Sequence, residues 1–433
     1  METFNQQIQS NPRLESAWTE ELKKFNTTHA NDRTFTNKYS IAEKNKFTEN
    51  LFTILNREFS RNITDKPSST ALLETLIALR ISLREITDQD KSIALNELNL
   101  FFKFGNIGDE EKLFVFSDEI REEALKCIVN CIARDRDIQS KFIQELNGPV
   151  VLVREIVKNA STISDSVLLV IYKILTHCTA TPAIRESVKP EGLLEHVTEQ
   201  LIIKTSSPTN YNAALLSDLC RLLFTLTIHL GPLEGGKPTK PTDNDLNRYR
   251  KLLPVFKKIM THYTPDQNNP MYTLKCALIS SLLNTPKELY DELIAEIPLE
   301  YFQEMFKNQI KLLDNPMLAS EFLPILMLIT NIAENVIDTR QPLKEMTFPY
   351  DLIKDSDEPL SVGIEPPVEA KTTGISAKLI PLMTGSDIGF KHFVSEFFFM
   401  ICDEDANEVC RLTGFGNAAG LLVTRGLLSL GGQ

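Results

Sequence analysis

Arg80 and Arg84 are the residues whose type and spacing most invite chemistry. They lie four apart in an otherwise apolar run, Ala71 to Ile86, and that pattern predicts a helix projecting both from one face. Two planar guanidinium forks converging on a groove suit a carboxylate, because each can bind it bidentately. A surface ion pair with Glu85 or Glu74 would account for the same residues. Asn130 falls on the matching face of a later helix. A side-chain amide there can pin a bound peptide backbone, donating to C=O and accepting from N–H. The plainer alternative is a helix-end residue capping its own turn.

Other motifs carry less. Gly231 to Lys237 nearly spells a phosphate-binding loop, but Pro238 stands where a magnesium-holding Ser or Thr belongs, and a helix precedes it. An ordinary loop with one lysine fits better. Gly414-Phe415-Gly416-Asn417-Ala418-Ala419-Gly420 has the look of a dinucleotide fingerprint, which needs a strand on either side of a helix. A helix precedes it and only Leu421 to Gln433 follows. The expected structure is a tight turn into a helix, Ala418 to Leu428. Six His are scattered without metal-ligand spacing, and Cys127 and Cys131 share a helix with no His. No serine-hydrolase, zinc-protease or kinase set is present. The expectation is no catalytic residue, no metal and no cofactor, so that any activity acts through binding.

Those residues must be positioned by helices. The chain has 433 residues, 42% hydrophobic and 24% charged, which is ordinary for a folded protein and rules out wholesale disorder. Its 58 Asp and Glu against 46 Lys and Arg give a formal charge of -12. Such a surface repels phosphate backbones, so nucleic acid is not expected as a partner, whereas a protein with basic patches is. Glycine is too scarce for a hairpin-dense β fold. The cysteines, four of them (Cys127, Cys131, Cys220, Cys276) inside apolar runs, read as reduced core thiols. The polar start, Met1 to Gln6, lacks a signal-peptide core, and no uninterrupted apolar window is long enough for a membrane span. A cytoplasmic protein without membrane insertion is expected.

Helix-period patterns run from end to end: Ala71–Ile86, Ile120–Ile132, Ser166–Leu175, Ala213–His229, Leu252–Met260, Tyr272–Leu283, Tyr301–Leu313, Ser320–Ile332 and Phe390–Ile401. Ser166 and Asp218 are expected near helix onsets, and Asn315-Pro316 as a cap followed by Pro in the first turn. Aligning helix ends matches Asn130 with Thr225, Asn284 and Asn331. Asn284 and Asn331 lie about one armadillo or HEAT period of ~40–47 residues apart, and Asn130 and Thr225 about two. The fold class expected is all-α, an armadillo/HEAT-like superhelical solenoid with a concave binding face. An ordinary multidomain helical protein gives similar periodicity. One repeat domain over 1–433 is expected, with a mobile insertion at about 348–376, where prolines and Asp355-Ser356-Asp357-Glu358 prevent burial. Asn62–Ser69 and Thr205–Thr209 read as shorter loops.

The C-terminal segment resembles the synembryn family of exchange factors and folding chaperones for heterotrimeric G-protein α subunits (Gα). The resemblance lies in Lys378-Leu379-Ile380-Pro381-Leu382-Met383-Thr384, in Glu396-Phe397-Phe398-Phe399, in Thr413 to Leu422 (TGFGNAAGLL) and in Arg425-Gly426-Leu427. Weaker matches, among them Leu79-Arg80-Ile81 with Arg84, Leu125-Lys126-Cys127 with Asn130, and Leu343-Lys344 with Pro349, spread over roughly 20–430. The resemblance implies an armadillo/HEAT-like solenoid that grips the Gα C-terminal helix and carboxylate and releases GDP. It implies Arg80, Arg84, Asn130, Arg340 and Lys344 as Gα C-terminus-binding residues. Two departures stand out: the second member of the later basic pair falls near Ile337, and Thr225 replaces a motif asparagine. The family's acidic tail is absent from this chain, so weaker exchange is expected than from a longer form. The expected partner is Gα in GDP-bound, nucleotide-free or nascent form, met by a monomer in the cytoplasm or at the cell cortex. An armadillo-type adaptor and a Gα holdase without exchange activity are the rivals.

Overall fold

The computed structural model describes residues 15–32, 38–61, 69–85, 95–108, 116–206, 211–231, 239–264, 266–350, 353 and 374–427. Among them the regular structure is helical and no strand occurs. The chain divides into two compact units, Met1–Glu199 and Gln200–Gln433.

The first unit holds α1 (Glu15–His29), α2 (Ile41–Arg61), α3 (Ser69–Ser82), α4 (Leu95–Phe104), α5 (Asp118–Arg134), α6 (Arg136–Gln144), α7 (Gly148–Asn159), α8 (Asp165–Thr179), α9 (Pro182–Val188) and the start of α10 (Leu193–Lys204). α1, α3, α5 and α8 pack in sequence as one row, and α2, α4, α6 and α7 flank it. This is stacking of helical repeats, in which each element buries its apolar face on its neighbours. α5 shows why the local sequence gives a helix. Asp118 and Glu119 occupy its first turn and Arg134 its last, complementing the helix dipole. Ala124, Leu125, Cys127, Ile128 and Cys131 form a fully buried stripe. The helix ends at Asp135, whose side chain accepts from the Asp137 and Ile138 amides and so caps α6.

The second unit repeats the plan with α11 (Ala213–Thr227), α12 (Asp243–Met260), α13 (Pro270–Leu282), α14 (Tyr290–Glu296), α15 (Leu299–Gln309), α16 (Leu323–Asn335), α17 (Arg340–Thr347), α18 (Gly374–Leu379), α19 (Ile388–Ile401), α20 (Ala406–Thr413) and α21 (Phe415–Thr424). α11, α13, α16 and α19 form its inner row. The expected all-α, armadillo/HEAT-like class is thus what the chain adopts. Ala213–Leu230 is long and apolar enough to cross a membrane, but 67% of it is buried inside the protein.

Two local expectations need correction. Asp218 does not mark a helix start: it is buried inside α11 and pairs with Arg221, while Asn212 is the cap. Ser166, by contrast, lies at the onset of α8, which starts at Asp165, as expected. Asn315 opens a turn leading to a 3-10 segment, Ala319–Phe322, rather than an α-helix. The insertion expected at 348–376 lies mostly outside the described residues. At its edges Phe348 is buried against Phe398, with ring centroids 5.3 Å apart, and α18 begins at Gly374.

Candidate functional site

Arg80 sits in the last turn of α3, a helix buried along Leu72, Leu76, Ala78, Leu79 and Ile81. Its Nε donates to Glu123 Oε2 of α5 at 2.5 Å, with 20% of the Arg80 side chain and 11% of the Glu123 side chain exposed. The other Glu123 oxygen accepts from Lys126 Nζ at 2.8 Å, and Lys126 also pairs with Glu122 at 2.6 Å. Charges therefore alternate along one partly dry line: Arg80, Glu123, Lys126, Glu122. Two turns beyond Glu123 on the same face, Asn130 Nδ2 donates to the Arg80 carbonyl oxygen at 2.8 Å. That carbonyl belongs to the last turn of α3, where helical partners run out. Asn130 thus caps its neighbour's turn, not its own. Glu74, one of the two carboxylates offered as a partner for the arginines, instead accepts from Asn26 Nδ2 at 2.7 Å.

The two arginines do not share a helix face. α3 ends at Ser82, and Arg84 lies in a 3-10 turn, Leu83–Glu85. The tighter turn redirects it to the end of α1, where its guanidinium donates to the Ala30 carbonyl at 2.6 Å. The arginines therefore serve opposite neighbours, α5 for Arg80 and the end of α1 for Arg84. A ligand carboxylate would meet Arg80 with Asn130 close by, and Arg84 from the α1 side.

Arg340 opens α17 in the second unit, Lys344 lies in its last turn, and both are engaged internally. Arg340, 8% exposed, donates from Nε to the Ala333 carbonyl at 2.9 Å and from Nη2 to Glu404 at 3.1 Å. Lys344 reaches Glu408 at 2.5 Å. Glu408 also holds Arg411, and despite the opposing effect of burial these two cations keep its carboxyl below the usual range.

The residues that sequence reasoning missed are the partners, above all Glu123. The spacing of Glu122, Glu123 and Lys126 signals an ion pair within one helix. It gives no hint that Arg80, 43 positions earlier, joins it.

The glycine-rich segments have structural explanations. A Cβ on Gly231 would lie 2.1 Å from Asn284 Oδ1, so a side chain is excluded by close approach. Residues 232–238 lie outside the described ones. Gly414, at φ 87°, makes the expected turn between α20 and α21, but α21 starts at Phe415, not Ala418, and ends at Thr424, so Gly416 and Gly420 are helical. Cys127, Cys131 and Cys220 are buried free thiols, and burial pushes Cys220 up to about 12, away from reactive thiolate. No group of three or more metal-ligating side chains occurs among the described residues.

A sequence profile described as guanine nucleotide exchange factor synembryn matches residues 76–432. The chain belongs to the synembryn family. That match begins inside α3 and includes Arg80, Arg84, Glu123 and Asn130, as well as α17 with Arg340 and Lys344. Synembryn relatives include the mouse protein named Chaperone Ric-8B, 36% identical over 108 residues, which are 25% of this chain and 19% of that one. The chicken protein named Chaperone Ric-8A is 36% identical over 108 residues, 25% of this chain and 18% of its own. The mouse Chaperone Ric-8A is 46% identical over 54 residues, 12% of this chain and 10% of its own. These alignments span at most about a fifth of the relatives' lengths. A crystal structure of an engineered protein overlays with a TM-score of 0.43 at 14% identity, covering 94% of this chain and 84% of that one, too loosely to add to the synembryn assignment.

Proposed function

We propose that this chain is a guanine nucleotide exchange factor and folding chaperone for heterotrimeric G-protein α subunits. The observation that carries the proposal is the synembryn match over residues 76–432. Arg80, Arg84 and Asn130 receive the Gα C-terminal helix and its terminal carboxylate. A mostly buried guanidinium already seated on a carboxylate, Arg80 on Glu123, supports this reading because its surroundings suit that anion. Arg340 and Lys344, in the second unit, take a carboxylate of the partner only on a stricter condition: it must exchange with Glu404 or Glu408.

The mechanism is differential binding, not bond chemistry. A protein that holds nucleotide-free or open Gα more tightly than the GDP-bound form shifts Gα toward the open form. Drawing on the C-terminal helix loosens the elements that hold the nucleotide, and GDP leaves. The same hold on an unfinished Gα is chaperoning. The charge of -12 steers the protein toward basic surface on its partner. The setting is the cytoplasm, or the cell cortex through Gα.

The test is GDP release from purified Gα with and without this chain. Accelerated release is expected. Capture of Gα without acceleration would leave a holdase, and no association with Gα would leave an adaptor of another kind.

A further inference from the structure

We infer that Glu123 is a built-in stand-in for the ligand carboxylate: it occupies Arg80 in the free protein and hands the guanidinium over when the partner's C-terminus arrives. The inference rests on the reading of Arg80 as a carboxylate receptor, and it adds the residue that sets the receptor's threshold.

Three observations carry it. First, the contact has the geometry a ligand would have, a guanidinium Nε donating to a carboxylate oxygen at 2.5 Å in a setting where both side chains are mostly buried. Second, Glu123 has somewhere to go. Its other oxygen already accepts from Lys126 Nζ at 2.8 Å, so releasing Arg80 does not strand a carboxylate without a counter-charge. Third, Arg80 is anchored independently of the pair. Its backbone carbonyl is held by Asn130 at 2.8 Å, so the arginine stays in place while its side chain changes partner. α5 thus supplies the placeholder, the charge that retains it and the backbone anchor, at positions 123, 126 and 130.

Exchange of one carboxylate for another keeps Arg80 paired, but the ligand adds one negative charge to a line in which Lys126 then serves both Glu122 and Glu123. The cost of displacing Glu123 is subtracted from the affinity of every ligand. A C-terminal carboxylate, further held by the rest of its helix, can meet that cost, whereas a stray side-chain carboxylate has only its charge to offer. Glu123 thereby acts as a specificity filter as well as a brake.

The experiment is calorimetric titration of the 433-residue chain with a synthetic peptide of a Gα C-terminus, made as free acid and as amide. The chains compared are wild type, Arg80→Ala, Glu123→Gln, Lys126→Met and the Arg80→Ala/Glu123→Gln double variant, each checked for an unchanged thermal transition. Glu123→Gln, which leaves a neutral group, should tighten the free-acid peptide by about 5- to 30-fold, the scale of one partly buried charge contact. It should leave the amide peptide almost unchanged. Lys126→Met should weaken the free-acid peptide, because the displaced Glu123 loses its counter-charge. The double variant should show no gain over Arg80→Ala. If Arg80→Ala weakens the free acid while Glu123→Gln binds it no better than wild type, the stand-in is refuted and the receptor remains. The same holds if Lys126→Met binds like wild type. If the acid and amide bind wild type equally and Arg80→Ala changes nothing, the receptor itself is refuted.

Discussion

Arg340 Nη2 lies 3.1 Å from Glu404 Oε1, across 64 residues of chain, and Glu404 holds its backbone at φ 62°. Asp403 beside it is also left-handed, at φ 54°, and lies 3.5 Å from Arg340 Nη1. Two successive left-handed residues that are not glycine cost roughly 1–2 kcal/mol each. The guanidinium that engages both carboxylates and the Ala333 carbonyl helps to offset that strain. One turn along, Lys344 repeats the tie with Glu408, so α17 is fastened to the α19–α20 corner by two cations in register.

Arg340→Ala is therefore expected to destabilise the second unit by about 1–3 kcal/mol, since it orphans a buried carbonyl and releases a strained turn. Arg340→Lys should recover little, because an ammonium cannot span all three acceptors. Glu404→Gly should be milder than Arg340→Ala, because glycine removes the strain as it removes the carboxylate. Urea unfolding of the three variants measures this, and equal stability of Arg340→Ala and wild type would contradict it.

Arg84→Ala and Asn130→Ala should each lower stability as well as binding. Arg84 holds the Ala30 carbonyl and Asn130 the Arg80 carbonyl, and each hydrogen bond nets about 1 kcal/mol. Asn284 makes the same kind of bond, to the Phe224 carbonyl at 2.8 Å. Asn284 Nδ2 also donates to Thr227 Oγ1 at 3.1 Å, so Asn284→Ala should cost at least as much stability as Asn130→Ala while leaving affinity for the Gα peptide unchanged. Paired melting curves and peptide titrations separate the two effects.

Gly231→Ala should destabilise by about 1–3 kcal/mol, because its Cβ would overlap Asn284 Oδ1. In an Asn284→Ala background the same change should cost much less. A double-mutant cycle with no coupling between the two sites would mean that the close approach does not limit residue 231.

His196 is buried beside the Tyr172 hydroxyl, 3.0 Å from Nε2, and burial lowers its pKa to about 4. The unfolded chain, with an ordinary histidine near 6.5, binds this proton more readily between pH 6.5 and 4. Stability should therefore fall as pH drops through that window, by about 3 kcal/mol once both states are protonated. Glu408, held below the usual carboxylate range, adds a further loss at lower pH as it becomes protonated. Chemical denaturation from pH 7 to 4 should show the slope, and His196→Gln should flatten its upper part.

The helices were legible because helix formation is largely local. The apolar stripes at 71–86, 120–132 and 213–229 reappear as α3, α5 and α11, each with a short extension or a 3-10 end. The match of Asn130 with Asn284 was also legible, and both turn out to donate to the carbonyl of the preceding inner helix. The arginine pair was legible as a candidate, but its geometry was not, because the helix tightens after Ser82.

Sequence by itself determined that this chain is built of stacked amphipathic helices, and it marked Arg80, Arg84 and Asn130, with Arg340 and Lys344 through the synembryn resemblance, as candidates. Only the tertiary structure decided what each of them touches. Arg80 could have met Glu74 as readily as Glu123 on charge alone, and Arg340 meets carboxylates 64 residues downstream. Apolar burial is non-directional and is written into periodicity along the chain. Hydrogen bonds and ion pairs depend on distances of a few ångströms between atoms on different helices. Those distances are set by how the helices cross, and no spacing within one helix encodes that crossing.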